Sequence, residues 1–308
     1  MTAAVGPDID APPGHTVIAA PACRFLARAT SRSQYNRTMG YRTLEEFWDA
    51  NKQAIGRILH RGAEALAEVL QPGADRFGLG QELEDGAVQW ITKEGEIALM
   101  FCVLPDPRDL ERVLAIFELA RDKRPRLTAI FVHQWTDGEG NWDVFLISRK
   151  GGLHHTDRIP GSPTVHERGP ALREDIYTLF ACDREFPAPG EAQWADLIEG
   201  GKPEQLAAAL EILAADHSCN QTVEDNIILW ADSDGRLEAQ FFCLPDARDL
   251  DAIIGMYRRI RETRCPLSFA FVNSERAGLY DIFRLSARSY LEHHNQARAW
   301  ARAKATTT

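Results

Sequence analysis

No C-x-x-C pair, no H-x-x-x-H or H-E-x-x-H spacing, no G-x-S-x-G, no Walker loop and no G-x-G-x-x-G occurs in this 308-residue sequence. Zinc-finger, zincin, serine-hydrolase, P-loop and dinucleotide-binding chemistry therefore lack their usual signatures. The six cysteines (Cys23, Cys102, Cys182, Cys219, Cys243 and Cys265) lie far apart and read as free thiols, which fits a reducing compartment. No apolar run approaches the roughly 20 residues of a membrane-spanning helix, and Met1 to Pro21 lacks the basic start and unbroken apolar core of a secretory signal. Cytoplasm is the expected location. Basic residues are in deficit, 35 Lys and Arg against 45 Asp and Glu, for a net charge of −10. A field of that sign repels phosphate backbones and anionic lipid, so neither nucleic acid nor a membrane is an expected partner.

What the chain does contain is itself, twice. Leu104-Pro105-Asp106-Pro107-Arg108-Asp109-Leu110 returns 140 positions later as Leu244-Pro245-Asp246-Ala247-Arg248-Asp249-Leu250. Aligned without a gap, residues 84–132 and 224–272 share sixteen identities in forty-nine positions, including Trp90 with Trp230 and Gly95 with Gly235. Beyond the next loop, two residues shorter in the second copy, Asp143, Phe145 and Ser148 meet Asp281, Phe283 and Ser286. With 44% hydrophobic and 26% charged residues, the bulk of the chain has the composition of folded domains.

The pattern predicts an α+β fold of two tandem α-β-β-α-β-β units, antiparallel sheets with helices on one face, in a pseudo-twofold arrangement. Residues 1–42 form a partly disordered, arginine-bearing arm, 43–150 the first repeat, 151–202 a linker or covering segment, and 203–308 the second repeat with a closing helix from Ser289. Thr43 caps a long helix that ends at Pro72-Gly73, with Gly56 and Gly62 as points of kink or break. Residues 87–92 and 96–104 make one hairpin, 127–135 and 142–148 another, and Asp106 caps the helix between them.

In element order alone, without shared motifs, the units are similar to roadblock-type and secretion-chaperone-type α+β domains. That likeness implies dimerising or partner-binding modules.

Several residues are candidates for a site. Proline, aspartate and N3 aspartate in the repeated motif are what a strand-to-helix corner needs, but a cation in the first helical turn opposes the dipole. Arg108 and Arg248 therefore either pair with Glu84 or Asp85, and with Glu224 or Asp225, or face an anionic ligand at the helix start. His133, where the second copy has Asn273, and the neighbouring Trp135 are further binding candidates. His154, His155 and His166, with Asp157 and Glu167 nearby, are the densest set of potential zinc or iron ligands, although no cofactor is expected. Trp90 and Trp230 read as core.

Residues kept in both copies are those a fold requires, and none looks like a duplicated catalytic group. The sequence points to a protein-binding adaptor or accessory subunit with a protein partner, and the acidic surface would suit a basic one. The alternative is an enzyme or enzyme subunit whose site lies in the inter-repeat cleft and the 150–202 segment. The oligomeric state is left open.

Overall fold

The computed structural model describes residues 43–134, 140–161, 203–224, 227–244, 246–274 and 279–298. Thr43 caps helix α1 (Leu44–Ile58), its hydroxyl accepting the Glu46 N–H at 3.1 Å. A short turn, Leu59–Arg61, and Gly62 at φ 90° separate α1 from α2 (Ala63–Phe77), so the break falls at Gly62. Gly56 instead lies inside α1, where the Pro160 carbonyl occupies the space a Cβ would need. The stop expected at Pro72-Gly73 does not occur, and α2 runs on to Gly78 at φ 67°. Packing explains this. A Cβ on Gly73 would stand 2.7 Å from Phe47 and 2.8 Å from Trp90, so the helix seats its bare backbone against two buried rings. That burial outweighs the hydrogen bond Pro72 cannot donate.

The class is α+β, in two similar units. The first continues as β1 (Gly80–Glu84), β2 (Ala87–Ile91), β3 (Ile97–Leu104), α3 (Leu110–Lys123), β4 (Leu127–His133), β5 (Trp142–Ser148) and β6 (Gly152–Ile159). The second runs α4 (Pro203–Asp216), β7 (Asn220–Glu224), β8 (Ile227–Ala231), β9 (Leu237–Leu244), α5 (Leu250–Thr263), β10 (Leu267–Ser274), β11 (Leu279–Ser286) and β12 (Ser289–Arg298). Each sheet has six strands in chain order. Both expected hairpins are present, but each unit gains a strand before the first and another after the second. This departs from the element order on which the likeness to roadblock-type and secretion-chaperone-type domains rested. Neighbouring strands are antiparallel except β3 with β4 and β9 with β10, which run parallel because α3 and α5 carry the chain back across.

The helix expected from Ser289 is instead strand β12. Its register against β11 sets Glu292 opposite Arg284, with Nη2 to Oε1 at 2.6 Å, and His293 opposite Phe283, from where its Nε2 reaches the Asp281 carboxylate at 3.1 Å. Arg284 and Asp281 are both buried. A helix in place of β12 would strip these counter-groups away, and an uncompensated buried charge costs more than any helix propensity returns.

Helices cover both faces of each sheet, not one. In the first unit α1 and α2 pack with Val88, Trp90, Phe101 and Phe131, while α3 packs on the opposite side with Met100, Cys102, Ile130 and Val132. Strands β2 to β5 are consequently buried nearly throughout. Trp90 and Trp230 are fully buried core, as expected, and each indole N–H donates to a glutamine carried by the added strand, Gln81 at 2.9 Å and Gln221 at 2.8 Å. Those amides reach back to the Ala67 and Ala207 carbonyls, tying strand to helix in both units.

One apolar core is shared between the units. Helix α3 lies against α5, with Phe117 and Tyr257 stacked at 5.2 Å and both fully buried. These residues are 140 positions apart, and the ion pairs around them repeat the offset reciprocally. Arg121 meets Asp251 at 3.4 Å, Arg261 meets Glu111 at 3.1 Å, and Arg258 meets Glu118 at 2.7 Å. Reciprocity of this kind is compatible with the pseudo-twofold arrangement. Such exposed pairs contribute at most about 1 kcal/mol each, so the aromatic contact carries the interface. Phe117→Ala is expected to cost about 3–5 kcal/mol in urea denaturation and to destabilise both units in one transition, because their core is continuous.

Candidate functional site

The repeated motif builds the corner from which the inter-unit surface is made. Asp106 does not cap the helix; Asp109 does, accepting the Arg112 N–H at 2.9 Å, and Asp249 likewise accepts from Ala252 at 3.0 Å. Asp106 instead receives the Arg108 N–H at 2.9 Å, closing a tight turn in which the Asp109 N–H donates to the Asp106 carbonyl. The expected partners of Arg108 are also different. Its guanidinium grips Asp106 in a fork, Nε to Oδ1 at 2.9 Å and Nη2 to Oδ2 at 3.0 Å, and Arg248 holds Asp246 at 2.8 and 2.9 Å. Glu84 is taken by Lys123 at 2.6 Å, and Glu224 stands near Arg259 at 3.6 Å. Arg108 holds the Asp106 carboxyl below the usual range mainly by hydrogen bonding, and Arg248 does the same to Asp246.

Each corner reaches into the other unit. The Ala247 carbonyl accepts the Leu153 N–H at 3.0 Å, and the Pro107 carbonyl accepts the Tyr290 N–H at 2.6 Å. Beside this crossing, His155 of β6 and His293 of β12 stack face to face, centroids 4.5 Å apart and planes within 5°. Each ring contacts a buried phenylalanine, Phe145 or Phe283, and each Nε2 bonds a buried aspartate, Asp143 at 3.3 Å and Asp281 at 3.1 Å. Arg158 adds a fork to Asp143 at 2.7 and 3.3 Å. Burial pushes the Asp143 carboxyl up, but the hydrogen bonds from His155 and Arg158 prevail and hold it below the usual range.

Two parallel rings direct their in-plane lone pairs side by side, so His155 and His293 do not converge on one ion. His154, one residue before His155 on β6, places Nδ1 3.4 Å from the Gly152 carbonyl. Among the described residues no group of three or more histidine, cysteine, aspartate or glutamate side chains is placed to hold a metal. His166 and Trp135 lie outside the described residues. His133 is buried at the end of β4 with its ring 4.7 Å from Trp142.

Arg248 does border an open space. A cleft of about 370 Å³ lies between the end of α3, the start of α5 and the bottom of β4 and β5, lined by Arg121, Arg124, Arg149 and Arg248 with Asp249, Asp251 and Thr128. Three of these arginines escaped notice in the sequence because they come from a helix end, the loop after it and a hairpin turn. Only the closure of one unit on the other assembles them. The axial histidines had a legible signal: carrying the 138-position offset of Asp143 and Asp281 onward pairs His155 with His293.

Three of the described thiols are held protonated near neutrality. Burial pushes Cys102 and Cys265 up to about 12 and Cys243 to about 11.

At the opposite edge of each sheet, β1 and β7 stand as short outer strands. Leu83 and Val223, again 140 positions apart, are 44% and 39% exposed there, flanked by Glu82 and Glu84 and by Glu224.

No protein-family model matches the chain, and no curated protein matches it.

Because the Asp143 carboxyl lies below its unfolded value of about 3.9, its contribution is present above about pH 4 and is lost as pH falls through the folded value. Asp143→Asn should cost roughly 1–3 kcal/mol at pH 7, and its deficit against the wild type should shrink on acidification below about pH 4 when urea midpoints are compared.

Proposed function

We propose that the protein is a binding adaptor or accessory subunit, cytoplasmic, whose two outer strands receive extended basic segments of a protein partner. The observation that carries this reading is the matched pair of open edges. Among the described residues β1 and β7 each pair on one side only, and each presents one exposed aliphatic residue followed by a glutamate, Leu83-Glu84 and Val223-Glu224, with Glu82 as a further carboxylate on β1. A strand edge of this kind supplies main-chain hydrogen bonds to an added strand, and the side chains beside it choose the occupant. Carboxylates on the edge resist pairing between copies of the same acidic chain; Glu84 and Glu224 already meet Lys123 and Arg259 of their own units, so a partner's lysine or arginine would compete for them or meet Glu82. Net charge of −10 acts in the same direction.

The remaining chemistry supports binding over catalysis. None of the described thiols forms a disulfide, in keeping with a reducing compartment, and burial pushes Cys102, Cys243 and Cys265 away from the thiolate that a nucleophile needs. Among the described residues no helix is long and apolar enough to cross a membrane. His155 and His293 are spent on joining the units, which weakens the enzyme reading of the inter-repeat cleft.

Leu83→Lys combined with Val223→Lys changes exposed positions and should move stability by no more than about 0.5 kcal/mol at each site. The double variant is expected to lose a defined, stoichiometric protein partner that the wild type recovers from its native cell, and added salt should weaken that capture. Equal recovery by the variant, or no partner recovered by the wild type, overturns the proposal.

A further inference from the structure

We infer that the inter-unit cleft is a binding site for a small phosphate-bearing molecule. Its walls set four arginines against two aspartates in a chain with net charge −10, a local inversion of the protein's sign. Two of the four are internally matched, Arg121 by Asp122 and Asp251, and Arg248 by Asp246. The other two are not. The Arg124 guanidinium has no partner among the described residues; Arg149 donates Nη2 to the Arg124 main-chain carbonyl, which places both side chains at one rim, and its charge is felt only weakly by Glu96, whose main partner is Arg126.

The second, independent observation is Thr128. It is fully buried, forms part of the cleft wall, and its hydroxyl oxygen has no hydrogen-bond partner. Native proteins seldom tolerate a buried hydroxyl without a partner, because desolvation is then uncompensated. A phosphate oxygen in the cleft would accept that bond. The fourteen-residue helix α5 starts at the same wall, adding the partial positive charge of its first turn. At about 370 Å³ the cleft has room for a phosphate group and a small organic remainder.

Comparison of the two units strengthens the assignment. The corresponding place in the second unit has Ala287 for Arg149 and Ser268 for Thr128. There the serine hydroxyl is satisfied, accepting from Gln240 at 2.8 Å, where the first unit has Met100. In the second unit the hydroxyl is satisfied and a cation dropped, the Gln240 Oε1 being the atom left without a partner; the first keeps an open hydroxyl on the cleft wall and an added arginine. A ligand site retained on one side only has this form. Because its walls come from both units, the ligand would also brace α3 against α5.

Titration of the full chain with pyrophosphate in a calorimeter tests this. The expected result is one site per chain, with Arg124→Gly and Arg149→Ala each weakening binding about tenfold, the worth of one charged hydrogen bond. Arg124 has φ 50°, a conformation natural to glycine, so Arg124→Gly should fold at least as well as the wild type. Thr128→Val should weaken binding while raising the melting midpoint of the unliganded protein, a combination no purely structural threonine would give. Arg264→Gly, the same change in the second unit, should leave the affinity unaltered. Absence of saturable binding, wild-type affinity in Arg124→Gly and Arg149→Ala, or an equal loss in Arg264→Gly would each overturn the inference.

Discussion

Phe117 against Tyr257 is the contact on which the rest of the molecule depends. Each ring belongs to the middle of a crossover helix, and each helix lies on the inner face of its own sheet. Two large aromatic side chains buried together remove several hundred Å² of apolar surface, on the order of 150–250 Å² apiece, which surrounding exposed ion pairs cannot rival. Once α3 and α5 are held, other pairings are placed without further choice. The Ala247 and Pro107 carbonyls meet Leu153 and Tyr290, and the two axial histidines fall into a stack. Tyr257 is fixed in turn by its hydroxyl, which donates to the Tyr290 carbonyl at 2.8 Å and is pushed up in pKa by burial.

The sheets explain why the final strand of each unit is polar in sequence yet ordered in structure. Strands β2 to β5 carry the apolar weight and are covered on both faces. β6 and β12 have ladders and a few core residues, Leu153, Ile159 and Leu291, and their polar remainder is fixed by charge. Asp143 and Asp281 are buried on β5 and β11, and each recruits a histidine from the last strand, with Arg158 added in the first unit. In the second unit the Arg284–Glu292 pair does comparable work. The similarity of the units is therefore closest where packing is apolar, and it loosens where charge pairing offers several equivalent solutions.

The same logic accounts for the asymmetry of the cleft. Serine with glutamine, or threonine with methionine, occupies the same layer between sheet and helix, but only the first combination satisfies its hydroxyl, at the expense of the Gln240 Oε1. A fold tolerates either, so the difference is informative about use more than about stability.

Much of the architecture was legible in the residues alone. Gly95 and Gly235, at φ 83° and 78°, marked the same turn twice. Trp90 and Trp230 marked the core, Thr43 a helix start, and the gap-free identities marked two similar units. These are local or periodic facts, written in propensity and side-chain size, and they do not need the other half of the chain. What only the tertiary structure decided depends on neighbours. β1, β6 and β12 are strands because a sheet edge or a buried aspartate waits beside them; Asp109 caps because Arg108 draws Asp106 into the turn; and four arginines from three distant segments face one cleft because two helices meet. Pairing, counter-charge and closure are properties of partners in space, and no single segment carries them.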